Sequence, residues 1–191
     1  MISNLSERFV DIFFSNQSIT EEERELYIYG FYMMLSHLLY LVLVSAFGLL
    51  IGCALESIIF YVSFQSIRRS AGGYHASTEA RCQIISTLSI LVTVALINIL
   101  RNFDYQILFL ILTIFSAVLI WVLCPLDTTE KPLSKKETVY FRKKSRVILM
   151  VIFLVVVTSY FLNLYFLFAP CCMSLLLESS LLIAGKIKKY R

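Results

Sequence analysis

The chain has 191 residues, 59% of them apolar and only 16% charged, with a mean hydropathy of +0.79. Its charges fall in clusters separated by long uncharged runs, which excludes an ordinary soluble domain and matches what spanning helices require. The net charge of +4 does not indicate a nucleic-acid binder, because membrane orientation accounts for the basic clusters and no nucleic-acid-binding module is present.

Taken in chain order, residues 1–25 do not read as a signal peptide. Glu7, Asp11, Glu21, Glu22, Glu23 and Glu25 outweigh Arg8 and Arg24, and no long apolar core follows the initiator. Leu5, Phe9, Ile12 and Phe13 recur at helical spacing and predict a short amphipathic helix. It lies either on the bilayer surface or on the cytoplasmic ends of the spans. Thr20, with Glu23 three residues later, reads as a helix start.

No charge occurs from Leu26 to Leu55, Cys82 to Leu100, Tyr105 to Leu126, or Val147 to Leu177. Roughly 20 helical residues cross a hydrocarbon core of about 30 Å, so each run is long enough to hold a span. Between them, Cys53–Ile67 carries Glu56, Ser57, Ser63 and Gln65 and reads as a second, short span or a re-entrant piece. Pro170 divides the last uncharged run into spans at about 147–168 and 170–185, with Glu178 inside the second. The predicted fold is an all-α polytopic membrane protein: about six transmembrane helices, the second one short, plus the amphipathic N-terminal helix. Residues 1–191 then form a single membrane-embedded domain, and Asp127–Arg146 is a connector too short to fold alone.

The lysines and arginines set the topology. They cluster within 68–82, in a basic loop at 125–146 and in a basic tail at 186–191, with two spans between successive clusters. The positive-inside rule places all three on the cytoplasmic face. Arg101 is left outside, and the N-terminus is cytoplasmic if 53–67 crosses.

Five cysteines make an odd count, and Cys53, Cys124, Cys171 and Cys172 lie in or at the ends of apolar segments, which argues against a disulfide framework. Cys82 alone has a polar, cationic approach. The thiolate is the reactive form, and Arg81 together with a nearby imidazolium would favour it. His75 lies seven residues earlier, behind Gly72 and Gly73. A continuous helix would hold His75 and Cys82 about 10 Å apart along its axis, whereas a general base must come within about 3 Å. The chain must therefore bend between Ala76 and Arg81, with Ser77 or Thr78 capping a new helix. Glu79, Gln65 and Ser70 are unranked candidates for an orienting third residue. Zinc is a weak alternative, since no paired ligand motif stands beside His75 and Cys82 and His37 lies mid-span. No metal or cofactor is implied.

Arg68-Arg69-x-x-x-Gly73-x-His75-Ala76, Cys82, the Pro125…Lys131-Pro132-Leu133 segment with its following lysines, and the six-span pattern together resemble the accessory gene regulator B (AgrB) family. These are bacterial cell-membrane cysteine endopeptidases of Gram-positive quorum sensing. The resemblance implies that Cys82 and His75 are catalytic, and that Arg68 and Gly73 occupy further positions needed for activity. The substrate it implies is an AgrD-type precursor peptide, trimmed of its acidic tail and cyclised to a thiolactone or lactone; it also implies a homodimer. Arg68 would stabilise the oxyanion or position the substrate carbonyl, and Gly72 and Gly73 would let backbone approach the peptide or simply make a tight turn. Lys131, Lys135, Lys136, Arg142, Lys143 and Lys144 would dock the acidic tail. Family members often carry Ala-Pro where this chain has Cys124-Pro125. Two rival readings are a small transporter using Glu56 and Glu178, and a scaffold needing neither His75 nor Cys82.

Overall fold

The computed structural model describes residues 2–14, 20–74, 78–100, 106–127 and 133–189. Over these the chain forms α1 (Ile2–Phe13), α2 (Glu21–Leu50), α3 (Ala54–Ala71), α4 (Glu79–Leu100), α5 (Gln106–Leu123), α6 (Lys135–Phe161) and α7 (Tyr165–Lys189). Among the described residues there is no strand, only a single bridge joining Gly72 to Leu126. Helices α2, α4, α5, α6 and α7 are each long and apolar enough to cross a membrane. The protein is therefore an all-α, multi-pass membrane protein, as its composition requires.

Residues 1–43 and 44–191 form two compact units. In the first, α1 lays its aromatic side chains on the opening turns of α2. Phe9 stacks on Phe31 with centroids 6.0 Å apart, Phe14 stacks on Tyr27 at 4.5 Å, and Arg24 pairs with Asp11 at 2.9 Å. Thr20 and Glu23 form the expected reciprocal cap: the Glu23 carboxylate accepts from the Thr20 N–H at 2.9 Å, and the Thr20 hydroxyl accepts from the Glu23 N–H at 3.3 Å. Ile12 and Phe13 keep much of their surface exposed, so α1 retains an apolar side that α2 does not cover.

In the second unit, α3 is a continuous 18-residue helix, about 27 Å long, and is not among the five helices long and apolar enough to cross a membrane. Its buried residues Ser57, Phe60, Tyr61, Phe64, Ile67, Ser70 and Ala71 recur every three or four positions and form one stripe. Helix α7 is the most enclosed span: 56% of an 18-residue apolar stretch of it is buried, against 28% or less of the corresponding stretch in the others. Its Cys171, Cys172, Leu175 and Leu182 share a core with Ile67 of α3, Ile120 of α5, and Leu149, Ile152 and Val156 of α6. Lipid tails are as apolar as leucine, so close contact between small side chains holds such helices together better than burial alone does. A hydroxyl contact adds to this, Ser179 donating to Ser116 at 3.1 Å.

Three boundaries differ from the sequence expectation. The last apolar run breaks at Leu162–Leu164, and Pro170 lies inside α7. Asn163 adopts a left-handed φ of 55°, the Leu164 N–H reaches back to the Ser159 carbonyl at 2.9 Å, and the Asn163 N–H reaches the Tyr160 carbonyl at 3.2 Å. This is a Schellman C-cap, and Asn tolerates its conformation better than any other residue but glycine. Pro170 removes only one early helical hydrogen bond, so α7 continues through it. Likewise, the expected loop at 125–146 is helical from Lys135 onward. Ser134 and Glu137 make a second capping box, which starts α6 a dozen residues before the apolar run. The expected tail at 186–191 is, as far as Lys189, the end of α7.

Asn163→Gly is expected to leave the melting temperature of the detergent-solubilised protein near that of the wild type. Asn163→Val should cost about 1–2 kcal/mol, the strain of a branched residue at positive φ. Equal melting curves for the two variants would contradict this account of the α6–α7 turn.

Candidate active site

Helix α3 ends at Ala71 because Gly72 and Gly73 take φ values of +80° and +134°, which reverse the chain. Arg68, in the last turn of α3, reaches back over this reversal. Its Nη1 donates to the Gly72 carbonyl at 2.6 Å and its Nη2 to the Tyr74 carbonyl at 2.8 Å. Nη1 also lies 3.8 Å from the carboxylate of Glu178, which is fully buried in α7 and has no hydrogen-bond donor among the described residues. The Leu126 N–H donates to the Ala71 carbonyl at 2.9 Å, and the Tyr74 N–H donates to the Leu181 carbonyl of α7 at 3.0 Å. The turn is thus tied to α3, to the segment after α5, and to α7.

This geometry gives both Arg68 and the glycines structural work. Arg68 binds two carbonyls of its own chain and faces Glu178, so part of its fork is committed to holding the turn. The space beside the glycines is also occupied, since a side chain at Gly72 would meet the Leu126 carbonyl and one at Gly73 would meet the Arg68 guanidinium. Both glycines serve the packing of this turn.

Cys82 lies in the first turn of α4. Thr78 caps that helix, its hydroxyl accepting from the Arg81 N–H at 3.4 Å and its carbonyl from the Cys82 N–H at 3.0 Å. Cys82 is partly exposed, whereas Cys53, Cys124, Cys171 and Cys172 are all buried. Helix α4 begins at Glu79 and α3 has ended at Ala71, so no continuous helix joins His75 to Cys82. His75 and Lys131 lie outside the described residues, as does the side chain of Glu79. Of the other candidate third residues, Ser70 is buried and donates to its own helix at Ile67, and Gln65 donates to the Tyr61 hydroxyl at 3.2 Å.

Lys135, Lys136, Arg142, Lys143 and Lys144 are exposed on the first three turns of α6. Residues 135 and 142, and 136 and 143, are seven apart and so share faces of the helix. Arg146, nearer the apolar part, lays its guanidinium over Trp121 at 4.4 Å. Glu56 lies far from all of this. It lines a cavity of 270 Å³ with Cys53, Gln106, Asn163 and Tyr165, at the end of α3 opposite Arg68. The two acidic residues of the transporter reading therefore stand at opposite ends of the unit, and one of them faces an arginine.

Sequence reasoning left Glu178 without a role in the site and did not single out Leu126 or Gly185. A lone carboxylate inside a span calls for a cationic partner, and Arg68 at an apolar boundary was an available one. Nothing in the sequence marked Leu126.

Residues 6–182 match the accessory gene regulator B family. The chain belongs to that family. Two Clostridium perfringens proteins named as AgrB-like are similar to it. That of strain SM101 (Type A) is 25% identical over 155 residues, covering 77% of this chain and 69% of its own. That of strain 13 (Type A) is 24% identical over the same coverage. A Listeria innocua protein, also named AgrB-like, is 28% identical over 139 residues, or 70% of this chain and 65% of its own. No solved structure matches the chain. Membership of the AgrB family places the protein in the processing of agr quorum-sensing peptides.

Arg68→Lys keeps the charge but replaces the planar fork with a single ammonium that cannot span both carbonyls in the same way. Hydrogen bonds to charged groups contribute about 1.5–3 kcal/mol each. Losing one should speed amide exchange across Gly72–Tyr74 by at least roughly tenfold, with exchange in the middle of α5 unchanged. Wild-type protection of the turn in this variant would refute the clamp.

Proposed function

We propose that this AgrB-family protein is a membrane cysteine endopeptidase that cuts the acidic tail from an AgrD-type precursor and closes the remaining peptide into a ring. The observation that carries the reading is that Cys82 stands partly exposed at the capped start of α4, just after the Arg68-held glycine turn, while the other four cysteines are buried. His75 lies in the short segment between that turn and Thr78, and serves as the base.

His75 takes the Cys82 proton, and the thiolate attacks the backbone carbonyl at the C-terminal side of the future ring. The tetrahedral intermediate collapses as the C–N bond breaks, and the imidazolium returns the proton to the departing amine of the tail. The precursor remains as a thioester on Cys82. A thiol or hydroxyl within the precursor then gives its proton to the neutral His75 imidazole, attacks that thioester and releases the Cys82 thiolate, giving a thiolactone or lactone. Exposed Lys135, Lys136, Arg142, Lys143 and Lys144, with Lys131 before them, attract the acidic tail through several weak contacts that salt screens. The basic clusters put this chemistry on the cytoplasmic face of the bacterial membrane. The enzyme acts as a homodimer.

Cys82→Ala should abolish cleavage of the precursor, while Ala at Cys53, Cys124, Cys171 or Cys172 leaves substantial activity. His75→Ala should slow it by roughly 10²–10⁴-fold, the usual range for a general base. Full cleavage by Cys82→Ala would sink this mechanism.

Energetics supply an independent test. Exchange of one thioester for another is nearly neutral, whereas conversion of an amide to a thioester is uphill in water. If the ring is a thiolactone, isolated protein and precursor should stop short of completion. Added tail peptide should drive product back to precursor, and proteolysis of the tail should pull the reaction forward. A cyclic yield indifferent to excess tail would rule out this exchange.

A further inference from the structure

Gly185 is distant in sequence from the cysteine and histidine, yet it lies against the turn that precedes them. A Cβ placed on it would stand 2.8 Å from the carbonyl carbon of Gly73, 2.9 Å from the nitrogen of Tyr74 and 2.8 Å from Cδ2 of Leu126. One turn earlier in α7, the Leu181 carbonyl accepts the Tyr74 N–H at 3.0 Å. A further turn back, Glu178 faces Arg68 at 3.8 Å, and one turn beyond Gly185 the Lys188 ammonium lies 5.8 Å from the centre of the Tyr74 ring. Positions 178, 181, 185 and 188 are spaced three and four apart, so they form one face of the helix. That whole face is occupied by the Arg68–Tyr74 segment.

We propose that this face of α7 positions the reacting loop, with Gly185 and Glu178 as positioning residues that set His75 against Cys82. The proposal rests on the cysteine-peptidase reading given above. Tyr74, docked on α7, is the residue immediately before His75, and three residues link Tyr74 to Thr78, the cap of the helix that carries Cys82. His75 therefore lies, in sequence, between two anchored residues. Any shift of the Tyr74 anchor changes the distance between base and thiol, and a misplacement of about 1 Å can cost on the order of 100-fold in rate. Gly185 sets how closely α7 approaches the Gly73–Tyr74 backbone. Glu178 neutralises the guanidinium that grips the Gly72 and Tyr74 carbonyls, so a neutral residue there leaves a partly buried cation without a counter-charge.

The test uses the full chain in phosphatidylglycerol-containing vesicles, an AgrD-type precursor that the wild type cleaves, and iodoacetamide as a probe of Cys82. Gly185→Ala should lower kcat by roughly 10–100-fold with KM little changed. It should also slow alkylation of Cys82 near neutral pH by a similar factor, relative to the same protein unfolded. A role confined to stability would lower the melting temperature and leave both rates of the folded protein intact. Gly30→Ala is the control, since a Cβ there meets nothing within 4 Å. If Gly185→Ala does not fold, Glu178→Gln, which preserves shape and removes charge, is read by the same two rates. Wild-type kcat and alkylation in the folded variant would overturn the proposal, and so would a loss expressed entirely in KM. Cleavage that survives Cys82→Ala would instead overturn the cysteine-peptidase reading, and the two failures are thereby told apart.

Discussion

The guanidinium of Arg68 organises the end of the second unit that carries Cys82. It is mostly buried, and a buried cation is costly unless its charge and its donors are satisfied. Two backbone carbonyls and one carboxylate meet that need, and each comes from a different place: Gly72, Tyr74 and Glu178. The carbonyls can turn toward Arg68 only if the chain reverses through two residues at positive φ, which is why Gly72 and Gly73 follow the helix. The carboxylate can reach it only if α7 lies alongside. One desolvated charge thus fixes the C-terminal end of α3, the shape of the turn and the placement of α7 together. Removing either charged partner would strand the other, so the pair specifies geometry whatever its net contribution to stability.

The rest of α7 suits the same task. Within a bilayer, apolar burial does not draw helices together, and tight packing of small groups does. Cys171, Cys172, Ser174, Ser179 and Gly185 give α7 a narrow profile, and its neighbours close on it until more than half of an 18-residue apolar stretch is buried. Gly185 extends that close approach beyond helix–helix contact to the backbone of the Gly73–Tyr74 turn.

Much of the fold was legible in the sequence because charge and hydropathy determine where helices cross a membrane. The uncharged runs located the spans, and Thr20 with Glu23 fixed the start of α2. What misled was reading charge as loop and proline as break. Lys135–Arg146 is rich in good helix formers behind the Ser134–Glu137 box, so α6 starts early. Asn163, with its left-handed conformation, ends α6 where Pro170 had been expected to. Near the site, the glycine turn and the polar approach to Cys82 were legible from local spacing, whereas the purpose of the glycines and of Arg68 was not. Those purposes depend on Leu126 and α7, which spacing within residues 68–82 cannot reveal.

With Cys82 as the proposed nucleophile, its position bears on the chemistry through water. An acyl-enzyme destined for an internal nucleophile must outlive hydrolysis, so the thioester has to be screened from bulk solvent while a peptide still enters. A thiol deep in a span would be inaccessible to peptide, and one on a polar loop would be flooded. Cys82 avoids both: it lies one turn inside the capped end of an apolar helix, partly covered, with the exposed Ile84 and Ile85 just beyond it. A precursor with an amphipathic leader in the same interface could close over the thioester from the remaining side. The same placement requires the base to come from a segment outside the span, because a histidine on α4 itself would lie either in the apolar interior or along the helix, away from the thiol. On the proposed mechanism that base is His75, which lies in sequence between Tyr74, docked on α7, and Thr78, the cap of the helix that carries Cys82.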